Sequence, residues 1–309
     1  MLKSQQDTTI ERTMLLLGTI VTIKVESKEV SAAVIEQTLD RAFAKMQQVE
    51  LACSRFDEKS ELRRVCNRVG VPTLCSEYLY EPLRFALMMS EITDGVFDPT
   101  VGRVMYANGF SEHYLTGTKV HDETANPGDV TYKDVVLDDT QRTILLKRPL
   151  TLDLGAVAKG FAVDLAVKEL NGFESFWIDA GGDVFVGSHH LDGTPWHVAV
   201  RHPVQTDKIL CTLQAAQVAI CTSGGYERRN RIEPENHHLI HPITGKSPDH
   251  VISSTVIAPF AMMADAFSTA AFVLGIEDAK KLLQTADLEG LLVDNELECH
   301  RTSGLGRYF

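Results

Sequence analysis

Asp265 and Thr269 stand four residues apart in AMMADAFSTAAFVLG, residues 261–275, an apolar run of helical length. On a helix this spacing stacks both side chains on one face, a turn apart, so that two oxygens can converge on one partner. A carboxylate among Ala, Met and Phe is costly to bury unless something positive faces it, and an all-oxygen donor pair suits a hard cation such as Mg²⁺. The structural alternative is an Asp that caps a turn and a Thr that bonds back to a helical carbonyl. Lys159 opens the helical stretch AKGFAVDLAVKELNG (158–172), where it could meet a phosphate beside free backbone N–H groups or simply be solvated. The preceding GAVAKG has the spacing of neither a Walker A loop nor a dinucleotide fingerprint.

Two further groups invite a chemical reading. Ser223 in CTSGG (221–225) lacks the Gly-x-Ser-x-Gly elbow of a nucleophile and any evident paired base, so the amides of Ser223, Gly224 and Gly225 are read as an anion nest. His237, His238 and His241 raise zinc, but Pro242 follows His241 directly and no Cys, Asp or Glu adds an evident third ligand. One working His is the better reading.

Several elements must position these groups. Residues 14–25 read as a first strand. SAAVIEQTLDRAFAKMQQVELACSRF (31–56) follows as an amphipathic helix, with Ser31 as N-cap and Ile35, Leu39, Phe43, Met46 and Val49 as its apolar stripe. A helix in EPLRFALMMSEITDG (81–95) closes at Gly95, and 111–130 is polar enough for a surface excursion. Strands are predicted near 135–137 and 144–146, and the helix in 158–172 stops at Gly172. FWIDAGGDVFVG (176–187) reads as strand, Gly-Gly turn, strand, followed by the strands WHVAV, QVAIC and ISSTVIA. The helix in 261–275 then ends on Gly275 as a left-handed C-cap, and a short helix runs from Asp278 to Leu283. Strands and helices mix without a regular βαβ beat, which predicts an α+β fold.

Composition bounds what such a site can bind. A net charge of −12 among 309 residues disfavours nucleic acid and anionic membrane surfaces, which would repel the chain at long range. Any phosphate must therefore be held locally, by a metal ion, a backbone nest or one well-placed Lys. The six cysteines show no CxxC pairing and read as small buried residues of a reduced compartment. MLLLGTIVTIKV is too short to span a bilayer and no basic n-region precedes it, so no integral membrane segment and a cytoplasmic location are expected. An exported parent trimmed at its N-terminus would look the same.

Taken in order, eight segments resemble the ApbE family of FAD:protein FMN transferases: LGTIVTIKV, SRFDEKSELRRVCN, DGVFDPTVG, LDLGAVAKGFAVD, IDAGGDVFVG, TSGGYERR, HHLIHPITG and MADAFSTAAFVLG. The resemblance implies one domain over 1–309, with mixed sheets and packed helices in two intimate halves and with 1–13 extended or disordered. It implies Mg²⁺ held by Asp265, Thr269 and a carbonyl assigned to Ala156. It places Lys159, Leu17, Phe56, His238 and the segment Val96, Phe97, Asp98 beside FAD, with Ser223 and Gly224 in the same site. The implied reaction cleaves the FAD pyrophosphate, passes FMN to a Ser/Thr hydroxyl of an acceptor protein and releases AMP. His238 is expected to assist deprotonation of that hydroxyl and Asp265 to act through the metal. An FAD pyrophosphatase and a non-catalytic FAD carrier are the alternatives. Two departures stand out: Leu17 where the family has Met, and His241 where an Asp usually precedes Pro-x-Thr-Gly. The family's common lipobox is also missing from the sequence.

Overall fold

The computed structural model describes residues 7–113, 115–119, 130–230 and 236–309. In chain order its elements are β1 (Thr8–Leu16), β2 (Thr19–Ser27), α1 (Ala32–Cys53), α2 (Glu61–Cys66), β3 (Thr73–Leu74), α3 (Glu77–Ile92) and α4 (Gly102–Ala107). β4 (Val135–Asp138), β5 (Thr143–Leu146), α5 (Ala158–Leu170), β6 (Ser175–Ala180), β7 (Asp183–Val186), β8 (Trp196–Arg201) and β9 (Ile209–Ala215) follow. β10 (Val218–Gly224), β11 (Val251–Ala258), α6 (Ala261–Leu274), α7 (Ile276–Thr285), β12 (Glu289–Asp294) and β13 (Cys299–Arg301) complete the fold.

One antiparallel sheet runs in the order β1-β2-β6-β7-β10-β11-β12-β13, with small sheets β3-β5-β4 and β8-β9 beside it. Side chains alternate across a strand, and here both faces are apolar. Ala219 and Cys221 on β10, with Val256 and Ala258 on β11, face the main core. Between them, Ile220 and Ile257 join a second cluster with Val186, Trp196, Val200 and Leu213 under the β8-β9 hairpin. The main core is built by α1 against α5, α5 against α6, and α6 against β10 and β11. The α1 stripe of Ile35, Leu39, Phe43, Met46 and Val49 is buried as its period predicts.

The structure bears out the mixed α+β class, and the strand–Gly-Gly–strand unit becomes β6 and β7. Two expectations change. The single strand over 14–25 is a hairpin, because Leu17 (φ 56°) and Gly18 (φ 68°) form a two-residue turn between β1 and β2. Left-handed conformation at two successive central residues is the hairpin turn that matches strand twist, and a Leu there carries no sequence signal for it. Residues 8–13, expected extended or disordered, are extended and pair with β2. Gly275 has a positive φ (83°) but an extended ψ (171°), so it links α6 directly to α7 rather than closing a left-handed cap. Most of the predicted excursion over 111–130 lies outside the described residues.

Candidate active site

α6 begins on a carboxylate. Asp164 of α5 accepts hydrogen bonds from the amides of Ala261 (2.7 Å) and Met262 (3.0 Å), so the first turn of α6 is capped from a neighbouring helix. Burial raises the Asp164 pKa to about 6 despite these donors. Helices α5 and α6 meet without a side chain between them at Gly160. A methyl there would overlap the Ala261 carbonyl and stand 2.6 Å from Met262 Cα. That approach brings Asp265, 5% exposed, onto the N-terminus of α5.

Asp265 Oδ2 accepts the Gly160 N–H at 3.2 Å and lies 3.6 Å from Lys159 Nζ, which also contacts the buried Asp183 at the start of β7. Gly160 lies in the first turn of α5, after the N-cap Val157, so its amide has no partner within the helix and Asp265 supplies one. Burial raises the Asp265 pKa, opposed chiefly by Lys159. One turn on, Thr269 Oγ1 lies 3.0 Å from Ser223 Oγ at the end of β10. A buried carboxylate, a hydroxyl and a carbonyl are all hard oxygen donors, and the residues present fit Mg²⁺ by donor chemistry.

These groups line a cleft of about 770 Å³ that also takes in Leu17, Phe56, Val96, Phe97, Asp98, Gly224 and His238. Leu17 stands at the turn of the β1-β2 hairpin, its amide donating to Glu50 of α1 at 2.6 Å. Phe56 is held edge-on to His113, centroids 5.0 Å apart, with the Arg55 guanidinium 4.2 Å over its ring. Arg55 is fixed in turn by Asp153 (2.6 Å) and by donation to the Phe110 carbonyl (2.7 Å). Asp98 lines the cleft, yet its carboxylate is occupied by the fold. It accepts from Thr100 N (2.8 Å), Thr100 Oγ1 (2.7 Å) and Tyr132 N (2.9 Å).

The His238 ring is half-buried, with Nδ1 3.4 Å from the Arg228 carbonyl. A carbonyl can only accept, so the proton sits on Nδ1 and Nε2 keeps its lone pair. Desolvation, then the charge of Arg228, pushes the imidazole pKa down to about 3. His241 turns to its own loop, Nδ1 accepting the Ile243 amide at 3.2 Å. An Asp at that position would accept the same amide, which explains how a His is tolerated there. Among the described residues the group spaced to hold a metal through His and carboxylates is Asp294, Glu298 and His300, not the 237–241 histidines.

The anion nest expected at Ser223–Gly225 does not form. Ser223 and Gly224 continue β10 opposite Ser254 and Ser253, so their amides alternate in a ladder instead of converging. Sequence reasoning missed Asp183 and Arg55, both within quoted motifs; the second Asp of IDAGGD, just past a Gly-Gly turn, was a usable signal for the first.

The profile of the ApbE family matches residues 17–292. A curated FAD:protein FMN transferase of Treponema pallidum is 32% identical over 294 residues, covering 88% of this chain and 81% of its own. That of Escherichia coli is 28% identical over 263 residues, covering 81% and 72%. Among solved structures, the ApbE protein of Thermotoga maritima superposes with a TM-score of 0.86 at 29% identity, covering 97% of this chain and 99% of its own. The flavin transferase ApbE of Vibrio cholerae shares the fold, with a TM-score of 0.82 at 22% identity.

Proposed function

The chain belongs to the ApbE family, and from that membership and the cleft we propose that it is a Mg²⁺-dependent FAD:protein FMN transferase acting on a Ser/Thr hydroxyl. The observation that carries the reading is a buried carboxylate, Asp265, set with Thr269 and Lys159 on one wall of a cleft in an acidic protein. Asp265, Thr269 and the Ala156 carbonyl would hold Mg²⁺, which when bound offsets charge on a diphosphate and on its leaving group. Lys159 supplies a fixed cation for the phosphates. Leu17, Val96 and Phe97 offer apolar contacts to the flavin, and Phe56 gives its ring a flat surface. Asp98, Ser223 and Gly224 also line the cleft, the first through a segment its carboxylate ties to Thr100 and Tyr132.

In the proposed reaction the acceptor hydroxyl oxygen bonds to the FMN phosphorus, the bond from that phosphorus to the bridging oxygen breaks, and AMP leaves with the electron pair. His238 Nε2 would take the hydroxyl proton. In the free protein it is a weak base, and the negative charge of a bound diphosphate works against the depression of its pKa.

Asp265→Ala tests the reading. Losing about 3 kcal/mol of charge stabilisation corresponds to roughly a 100-fold fall in Mg²⁺-dependent AMP release from FAD. The protein should stay folded, since removing a buried charge and adding a better helix former offset the lost bond to the Gly160 amide. A variant that unfolds, or that keeps full activity, would return Asp265 to a purely structural role.

A further inference from the structure

Three hydroxyls, Ser223 and Thr269 on the cleft wall and Ser268 behind it, form a chain whose direction is fixed. Ser268 Oγ, fully buried in α6, lies 2.9 Å from the Asp265 backbone carbonyl. A carbonyl oxygen has no proton to give, so the single Ser268 proton points there. Ser223 Oγ lies 2.8 Å from Ser268 Oγ and 3.0 Å from Thr269 Oγ1. With the Ser268 proton committed, Ser223 must donate to Ser268, and Thr269 must then donate to Ser223. The Thr269 hydroxyl thereby turns its proton away from the cleft.

We propose that Ser268 and Ser223 are positioning residues that act through Thr269, presenting its Oγ1 to the cleft as a lone-pair donor for Mg²⁺. The proposal rests on the reading of Asp265 and Thr269 as cation ligands. A hydroxyl free to rotate could point its proton at a cation and must be reoriented before it ligates; the relay removes that alternative. It also ties the ligand helix to β10, because Ser223 is the link between them.

The test is Mg²⁺ binding by calorimetry on metal-stripped protein, which needs no acceptor and no turnover. Ser223→Ala should weaken Mg²⁺ binding roughly tenfold, the range seen when partners of a metal ligand are removed. Ser268→Ala should do the same, since the freed Ser223 proton can then cap Thr269. Ser223→Thr, which keeps the hydroxyl, should restore binding, and the FAD affinity of Ser268→Ala in EDTA should match wild type. On a Thr269→Val background neither Ser change should weaken Mg²⁺ binding further, whereas a merely structural role would add its effect there. Wild-type affinity in both Ser variants, or additive losses with Thr269→Val, would overturn the relay while leaving Asp265 a ligand. Absence of Mg²⁺ binding by the unmodified protein would overturn the relay and the reading beneath it together.

Discussion

His238 is neutral for a physical reason the sequence does not display: its ring loses water to the cleft wall and sits beside Arg228, which together bring its pKa to about 3. The sign of the consequence follows from the ordinary value of 6.5. Between 6.5 and 3 the unfolded chain binds a proton that the folded chain refuses. This contribution to stability is therefore full above 6.5 and is lost as pH falls towards 3. His238→Gln should lower the urea midpoint less than wild type does between pH 7 and pH 5, and an equal drop in both would show the ring to be freely protonated. For catalysis, the kcat/KM profile of the free enzyme should lack an acid limb centred near 6.5. His238→Ala should slow transfer by roughly 100-fold, the low end for a lost general base, with FAD binding little changed.

At the scale of elements, the site depends on how closely α5 and α6 approach. Gly160 allows it, and a side chain there would press on the Ala261 and Met262 backbone, which no rotamer change can relieve. Gly160→Ala should cost about 1–3 kcal/mol of stability, the range for overpacking, and should weaken Mg²⁺ binding by moving Asp265 off the Gly160 amide. Chemical denaturation alongside a Mg²⁺ titration checks both; a variant as stable as wild type would mean the helices separate without cost. Much of this arrangement was legible. The period-3.6 stripe gave α1, the apolar run of helical length gave α6, and the Asp265–Thr269 spacing gave the shared face. What was hidden depended on partners distant in sequence. Leu17 takes a left-handed turn because its amide is held by Glu50. Ser223 reads as a loop residue beside Gly-Gly, yet ladder pairing with β11 keeps it in a strand. Asp98 lines the cleft, but its carboxylate answers to Thr100 and Tyr132, which the motif alone does not disclose.

For the whole molecule, a charge of −12 means that an anionic dinucleotide is not drawn in by the overall field but must be held inside the cleft. On the proposed reading Lys159, the Mg²⁺ held by Asp265 and Thr269, and an aromatic wall would supply that locally. The diphosphate is the group these ligands would meet, so FAD should bind more tightly than FMN in the presence of Mg²⁺, and flavin fluorescence titration would detect it; equal affinities would mean the cleft recognises only the isoalloxazine half. Among the described residues no helix is long and apolar enough to cross a membrane. The central claim is transfer of FMN to protein rather than to water, an advantage of position that a bound peptide hydroxyl has over solvent. The most direct measurement is mass spectrometry of a peptide carrying a small residue before Ser or Thr, incubated with the protein, FAD and Mg²⁺, with AMP followed in parallel. The account predicts that the peptide gains the mass of FMN at that hydroxyl and accelerates AMP release; rapid AMP release without peptide, and no FMN on any peptide, would contradict it.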